Sequence, residues 1–332
     1  MNGRGKSMHN PRSMVLEWAE QGSIAASDLP RALTLAGVTP SRNDWRNFLD
    51  RLLMSAGTAL VAFGVIFFLA YNWNDLGRFA KFSLVEPLVV AALVVVWQVG
   101  LDRLSGKMAL LGAALFHGAL LALIGQTYQT GADTFELFGA WAAMVLPWVL
   151  VGRFIPLWLL WLGLVNLGIG FYFQAFQGMV GVVFSTERAV WVLFMFNTVA
   201  LVVWEACAAR GLEWLSQRWA PRLVATASGV FVTSLMVTHI WEVHHSNAWA
   251  VLVWLAWLAA VWAVYRKVIK DMFMLAGGVL SVIVVVAAFF GKHLSNGNPL
   301  GFLLVGLIVI ALSAAGGWWL KQVAREVGGR GH

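Results

Sequence analysis

The sequence is poor in charged residues. Asp, Glu, Lys and Arg make up 12% of its 332 residues, whereas an ordinary soluble domain has about 25%. So few charges cannot cover the water-facing surface of a chain this long, and 60% of the residues are hydrophobic. The scarcity of charge therefore argues against a soluble globular domain and predicts an integral membrane protein.

Several other features are missing, and each excludes a class of protein. The single cysteine, Cys207, rules out an intrachain disulfide framework. The first 51 residues hold no hydrophobic run, so we expect no cleavable signal peptide. No phosphate-binding glycine loop followed by Lys, no HExxH, no G-x-S-x-G and no CxxC is present. We therefore expect no ATP hydrolysis, no metalloprotease activity, no cofactor and no catalytic residue that the sequence identifies.

The hydrophobic runs have the length that crosses a bilayer, about 17 to 25 residues. They predict an all-α fold, a polytopic transmembrane helix bundle of ten spans. Only Gly152 and Arg153 separate the fourth span from the fifth. The predicted spans are 52–71, 82–101, 108–124, 137–151, 154–173, 189–206, 223–240, 248–265, 272–290 and 300–320.

The basic residues indicate how the bundle is oriented. With ten spans, nineteen of the 23 Lys and Arg residues fall on the side that holds both termini, and four fall on the other side. Positive charge concentrates on the cytoplasmic side of membrane proteins. We therefore expect a bacterial inner-membrane protein with both termini cytoplasmic. The net charge is +7, but the basic residues lie in short runs between spans and not in a single patch. We therefore expect no nucleic-acid partner.

The chain divides into four predicted parts. Residues 1–51 form a short cytoplasmic helical segment, whose last helix begins at Arg42 and runs directly into the first span. Residues 52–173 form a first membrane bundle, 174–320 a second one, and 321–332 a cytoplasmic tail. The first segment could dock a partner, or it could be an amphipathic collar on the inner membrane surface.

The densest polar stretch between two hydrophobic runs is GQTYQTGAD, Gly125–Asp133. We expect it to be an outer loop that binds a ligand through Gln126, Tyr128, Gln129 and Asp133, or else a structured turn. It holds no Lys or Arg, which favours a neutral, zwitterionic or cationic ligand.

Further candidate ligand-binding residues lie close to this stretch. Asn72 and Asp75 follow the first span on the same side of the membrane and could share a polar vestibule with the loop, or they could simply form a turn. Glu86 precedes Pro87 inside the second span, where a carboxylate either pairs with Arg78 or Lys81 or serves transport.

Two more polar sites lie within or beside the spans. His117 lies near the middle of the third span, where we expect it to hydrogen-bond to Asn166 or Asn197, or to relay protons. Glu205 is expected to pair with Arg210. A group of histidines and a glutamate could in principle hold a metal, but it contains too few ligands, so we expect no metal site. These residues are His239, Glu242, His244 and His245.

Several of these motifs resemble a family of bacterial integral membrane proteins catalogued as domain of unknown function 2157. The resemblance covers roughly residues 14–174 and implies a membrane location, with no reaction attached. It is carried by Trp18, Gly22 and Ile24, by Ala70–Trp73, by Leu76 and Lys81, and above all by Gly125–Asp133 followed by Trp141.

Two functions follow as hypotheses. The polar loop, His117 and Glu86 favour a carrier of a small solute or lipid, whose partners are the bilayer and that ligand. The N-terminal segment and the lack of a complete site favour a non-catalytic membrane scaffold or sensor subunit that acts through a membrane protein partner. An intramembrane enzyme is a third hypothesis, for which the sequence names no nucleophile and base.

Overall fold

The computed structural model describes residues 11–72, 75–176, 186–241, 248–294 and 299–329. Over these ranges the chain forms twelve α-helices and no β-strand, which confirms the all-α prediction. Ten of the described helices are long and apolar enough to cross a membrane, as the hydrophobic runs predicted.

The first two helices are short and pack against each other: α1 (Pro11–Glu20) and α2 (Leu29–Leu35). Gly22 ends the first helical segment with a φ of 75°, a conformation that glycine adopts without a steric cost. Val15 is the residue that this hairpin buries.

The ten long helices follow one another with short connections. Ser41 caps α3 through its hydroxyl, which accepts a hydrogen bond from the backbone N–H of Asp44. This helix runs unbroken from Arg42 into the first span, as predicted. The ten helices are α3 (Arg42–Tyr71), α4 (Arg78–Val99), α5 (Leu104–Tyr128), α6 (Thr134–Gly152), α7 (Ile155–Ala175), α8 (Thr186–Ala209), α9 (Trp219–Trp241), α10 (Ala248–Ala263), α11 (Met272–Leu294) and α12 (Pro299–Gly329).

Successive helices alternate in direction, so the bundle has two faces. We call the face where α3 begins the N-terminal face and the face where it ends the distal face. A π-helical turn, Val264–Val268, extends α10 at the N-terminal face. There Arg266 pairs with Glu326 of α12 across 3.2 Å.

Two apolar cores share α7. One core is formed by α5, α6 and α7 around Leu110, Val145 and Leu157. The other joins α7 to α8, α9, α11 and the end of α12, around Trp204 and Met274. Helix α3 lies at the edge, where Ala62 packs with Phe116 of α5 and Val89 of α4. Most other described side chains of α3 are exposed, and its apolar part therefore presents a large surface suited to lipid.

Hydroxyl and amide groups inside the bundle find partners on neighbouring helices. Asn166 of α7 and Asn197 of α8 exchange amide hydrogen bonds of 3.3 and 2.6 Å. Farther along the chain, the hydroxyl of Ser281 contacts that of Thr233 and accepts a hydrogen bond from the indole N–H of Trp254. Such contacts satisfy groups that hydrocarbon cannot solvate, and they fix the register of neighbouring helices.

Candidate functional site

The GQTYQTGAD stretch is partly helical, which corrects the prediction that it forms a loop. Helix α5 continues to Tyr128, and the connection proper comprises only residues 129–133. The first four residues of the motif, Gly125–Tyr128, form the last turn of α5. Gln129 then turns the chain with a left-handed φ of 45°. Its backbone N–H donates to the carbonyl of Gly125.

The next helix is capped within the motif. The backbone N–H of Asp133 donates to Glu136 Oε2 at 3.1 Å, which anchors the start of α6. The side chains of Gln126 and Tyr128 project from α5, and both are exposed. Tyr128 lies 6.3 Å from Phe82 of α4, measured between ring centroids.

Two adjoining cavities lie beside this motif. The larger, which we call the distal cleft, has a volume of about 760 Å³ and lies between α3, α5 and α6. The smaller, which we call the motif pocket, has a volume of about 380 Å³ and is lined by residues 130–133 of the connection, by the end of α5 and by the start of α6. Ala122, Gln126 and Leu137 line both. Gln126 therefore lies at the junction of the two cavities, beside the polar side chains of Thr130, Asp133 and Glu136 in the motif pocket.

The walls of the distal cleft are mainly apolar. Ile66 and Ala70 of α3 face Leu137 and Trp141 of α6 across it, and Ala119 on α5 contributes a small side chain. Helix α3 is held against α5 by Ala62, nearer the middle of the membrane. Toward the distal face α3 and α6 are not packed against each other, which leaves the cleft between them.

The position of Trp141 depends on a glycine. Its indole N–H donates to the carbonyl of Ala114 on α5 at 2.9 Å. A Cβ at Gly118 would lie 2.2 Å from carbons of the same ring, closer than van der Waals contact allows. Gly118 thus lets the tryptophan lie flat against α5, where it forms one wall of the cleft.

His117 faces α6, and the prediction that it hydrogen-bonds to Asn166 or Asn197 was wrong. Its Nε2 lies 3.4 Å from the sulfur of Met144, and its ring meets that of Trp148 edge-on at 5.5 Å. Asn166 and Asn197 satisfy each other instead, because α7 and α8 pack directly together. His117 does not line either cavity.

The candidates near the end of α3 are only partly brought together with the motif. Asn72 donates its side-chain N–H to the carbonyl of Phe68 at 2.9 Å and so ends its own helix. Asp75 is exposed, and Glu86 is exposed on α4, with no ion pair among the described residues. The sequence interval 73–74 lies outside the described residues. It is Ala70, rather than Asn72 or Asp75, that shares the cleft with Gln126.

A charged cluster at the N-terminal face was not predicted. Arg218 bridges Glu205, at 2.9 Å, and Asp271, at 3.1 Å. Arg222 Nε also donates to Asp271, and the hydroxyl of Tyr265 donates to Glu205. The expected pair between Glu205 and Arg210 was wrong, because a 3₁₀ turn after α8 brings Arg218 back over the carboxylate.

Asp271 is the centre of this cluster. Its side chain is 3% exposed, and its Oδ1 accepts from the backbone N–H of Phe273 at the start of α11. Burial acts to raise the pKa of Asp271, but the hydrogen bonds from Arg222 and Arg218 outweigh it and hold the pKa below its ordinary value. One sequence signal could have found it: an Asp that directly precedes an apolar run is a typical helix cap.

No group of three or more metal-binding side chains occurs within the described residues. Of the four residues considered for a metal, His239 lies at the end of α9. Glu242, His244 and His245 lie outside the described residues.

Ten apolar helices, interhelical amide and hydroxyl pairs and a cleft between spans define a multi-pass α-helical membrane protein. Residues 16–158 match the model of a family described as predicted membrane protein, domain of unknown function 2157. This match confirms the resemblance inferred from the motifs, and it includes every residue of the distal cleft. No curated protein and no solved structure matches the chain.

Proposed function

We propose that the protein binds and carries an amphiphilic molecule, a lipid or a small solute with an apolar part, in the distal cleft. The observation that supports this proposal is the junction at Gln126, where a mainly apolar cleft between spans adjoins the motif pocket, whose lining adds the polar side chains of Thr130, Asp133 and Glu136. An amphiphile likewise joins an apolar part to a polar one.

The polar side chains of the motif pocket favour certain head groups over others. Its lining includes Gln126, Thr130, Asp133 and Glu136, and no Lys or Arg lines it among the described residues. Hydroxyl, amide and carboxylate groups accept hydrogen bonds and attract positive charge. A neutral, zwitterionic or cationic head group is therefore favoured over an anionic one.

Native mass spectrometry of the protein, extracted mildly from its own membrane, tests the binding step. Ala122→Leu fills the common wall of both cavities, and Gln126→Leu removes the polar group at their junction. Both variants should lose a mass that the wild type retains. Ala143→Leu on the exposed side of α6 and Gln174→Leu at the distal end of α7 are matched controls and should retain it. Equal retention by all four variants would reject the cleft as the binding site.

Glu86 and His117 belong to a separate step of this proposal. Neither lines the cavities, so they are candidates for coupling transport to protons rather than for holding the ligand. Glu86→Gln and His117→Ala should abolish activity in a cell that needs the protein, with expression and bound mass unchanged. Loss of the bound mass in either variant would contradict this division of roles.

The competing proposal is a scaffold or sensor that acts through a partner. It is favoured by the α1–α2 hairpin, which leaves Trp18 and Leu35 exposed at 46% and 81%. Deleting residues 1–40 should then be the damaging change, while Ala122→Leu is tolerated. A stoichiometric second protein in the mass spectrum would favour this proposal.

The orientation and location remain proposals as well. We place both termini in the cytoplasm of a bacterium and the protein in its inner membrane, from the distribution of Lys and Arg. We also retain the division into residues 1–51, 52–173, 174–320 and 321–332. A reporter that works only outside the cytoplasm should be active when fused after Asp133 and inactive after Arg218. The reverse pattern would overturn the orientation.

A further inference from the structure

A second groove lies between α9 and α11, outside the part of the chain that matches the family. Its volume is about 480 Å³, and its lining is almost wholly apolar. Val230 on α9 and Leu280 and Val284 on α11 are exposed along it, so it opens sideways toward lipid. Trp257 of α10 lies among the lining residues.

The length of the groove corresponds to one leaflet of a bilayer. Along α11 it extends from Phe273 to Val284. At 1.5 Å per residue these eleven steps span about 16 Å. Half of a hydrocarbon core of about 30 Å is about 15 Å. An acyl chain that enters at the N-terminal face would therefore lie in the groove over its whole depth.

The guanidinium of Arg222 lies at the mouth of the groove. Arg222 lies one turn from the lining residue Thr226, whose hydroxyl donates to the Arg222 carbonyl. The guanidinium of Arg222 lies 5.6 Å from the ring centroid of Phe273, which also lines the groove. The cation is thus directly above the apolar lining.

Arg222 has guanidinium N–H donors that no described residue accepts. It uses Nε to bond Asp271, and its two terminal nitrogens make no hydrogen bond to any described residue. Its side chain is 40% exposed, whereas that of Asp271 is 3% exposed. The carboxylate of Asp271 is therefore buried, whereas part of the Arg222 side chain is accessible. Arg218, which is 32% exposed, lies beside it on the same carboxylate.

We propose that this groove binds one anionic phospholipid, with an acyl chain between α9 and α11 and the phosphate on the guanidinium of Arg222. A guanidinium presents paired N–H donors that match a phosphate, and basic sites between spans are suited to anionic head groups. The site differs from the distal cleft in position, in the face it opens to and in the charge it selects, and it does not depend on the carrier proposal.

Delipidated full-length protein in neutral detergent, titrated with phosphatidylglycerol and read by native mass spectrometry, tests the proposal. We expect one phosphatidylglycerol per chain, bound at least about tenfold more tightly than phosphatidylcholine, because a charge-assisted hydrogen bond contributes more than a neutral one. Arg222→Gln should abolish this preference.

Gly277→Leu tests the groove without touching the ion pairs. Gly277 lines the groove, and a Cβ there meets no atom within 4 Å, so a leucine adds apolar volume to the groove. This variant should lose the bound phosphatidylglycerol. Gly306→Leu on α12, where a Cβ likewise meets no atom within 4 Å, is the matched control and should keep it.

Three results would overturn the proposal. They are equal binding of phosphatidylglycerol and phosphatidylcholine, retention of phosphatidylglycerol by Gly277→Leu, and displacement of the lipid by inorganic phosphate at equal concentration. The last result would assign the cation to a free anion rather than to a lipid.

Discussion

Gly118→Ala should destabilise the protein by a mechanism that the structure specifies. The added Cβ would lie 2.2 Å from the Trp141 ring, which is held in place by its hydrogen bond to Ala114. Overpacking of a tight contact costs about 1 to 3 kcal/mol, and loss of one hydrogen bond about 0.5 to 1.5 kcal/mol. The combined cost of about 1.5 to 4.5 kcal/mol corresponds to a rise of about 10- to 2,000-fold in the unfolding equilibrium constant.

Denaturant titration in detergent micelles measures this change, and two variants make the result specific. Gly139→Ala on α6 adds the same methyl group where no atom lies within 4 Å, so it should be neutral or slightly stabilising. Trp141→Phe removes the indole that the methyl group would strike, so Gly118→Ala should cost less in that background. A Gly118→Ala protein as stable as Gly139→Ala, or an equal cost with and without the indole, would refute the reasoning.

Three further predictions concern the polar contacts. Asn166→Leu should lower the free energy of unfolding by about 1 to 2 kcal/mol, because it leaves the amide of Asn197 without its partner, and replacing both by Leu should recover part of that loss. A double variant less stable than the sum of the two single changes predicts would contradict the pairing. Arg218→Gln should lower the melting temperature in detergent, whereas Arg210→Gln should leave it unchanged. Equal shifts in melting temperature would mean that the charged cluster is not stabilising. Because the folded pKa of Asp271 is depressed, its contribution to stability is complete above the ordinary pKa of 3.8 and is lost as the pH falls through the lower, folded value. Asp271→Asn should therefore flatten the acid side of a plot of melting temperature against pH, and an unchanged slope would assign that dependence to other groups.

Local chemistry made part of this fold predictable. The lengths of the apolar runs gave ten spans, and the helical spacing after Arg42 indicated that the first span continues a helix that begins before the membrane. Both are properties of consecutive residues. The helical end of α5 at Tyr128 was missed because polar composition resembles a loop, whereas Gly125–Tyr128 form its last turn.

The pairings between distant residues could not be predicted in the same way. Hydropathy identified Asn166 and Asn197 as groups that need a partner. Only the packing of α7 on α8 determines that these two side chains hydrogen-bond to each other. Arg218 reaches Glu205 because a short 3₁₀ turn redirects the chain, and that turn has no strong sequence signal. The cleft at Gln126 likewise depends on where α3 diverges from α6, which is a property of the whole bundle.

The length of α3 mechanically links the two ends of the protein. Its 30 residues span about 45 Å, well beyond the hydrocarbon thickness of about 30 Å. No proline interrupts it between Arg42 and Tyr71, and it packs against α4 and α5 at Ala62, about two-thirds of the way along. A continuous helix that packs there can tilt about that contact. A tilt of α3 about this contact would therefore move Ile66 and Ala70, which lie beyond it, and would widen or narrow the cleft that they line.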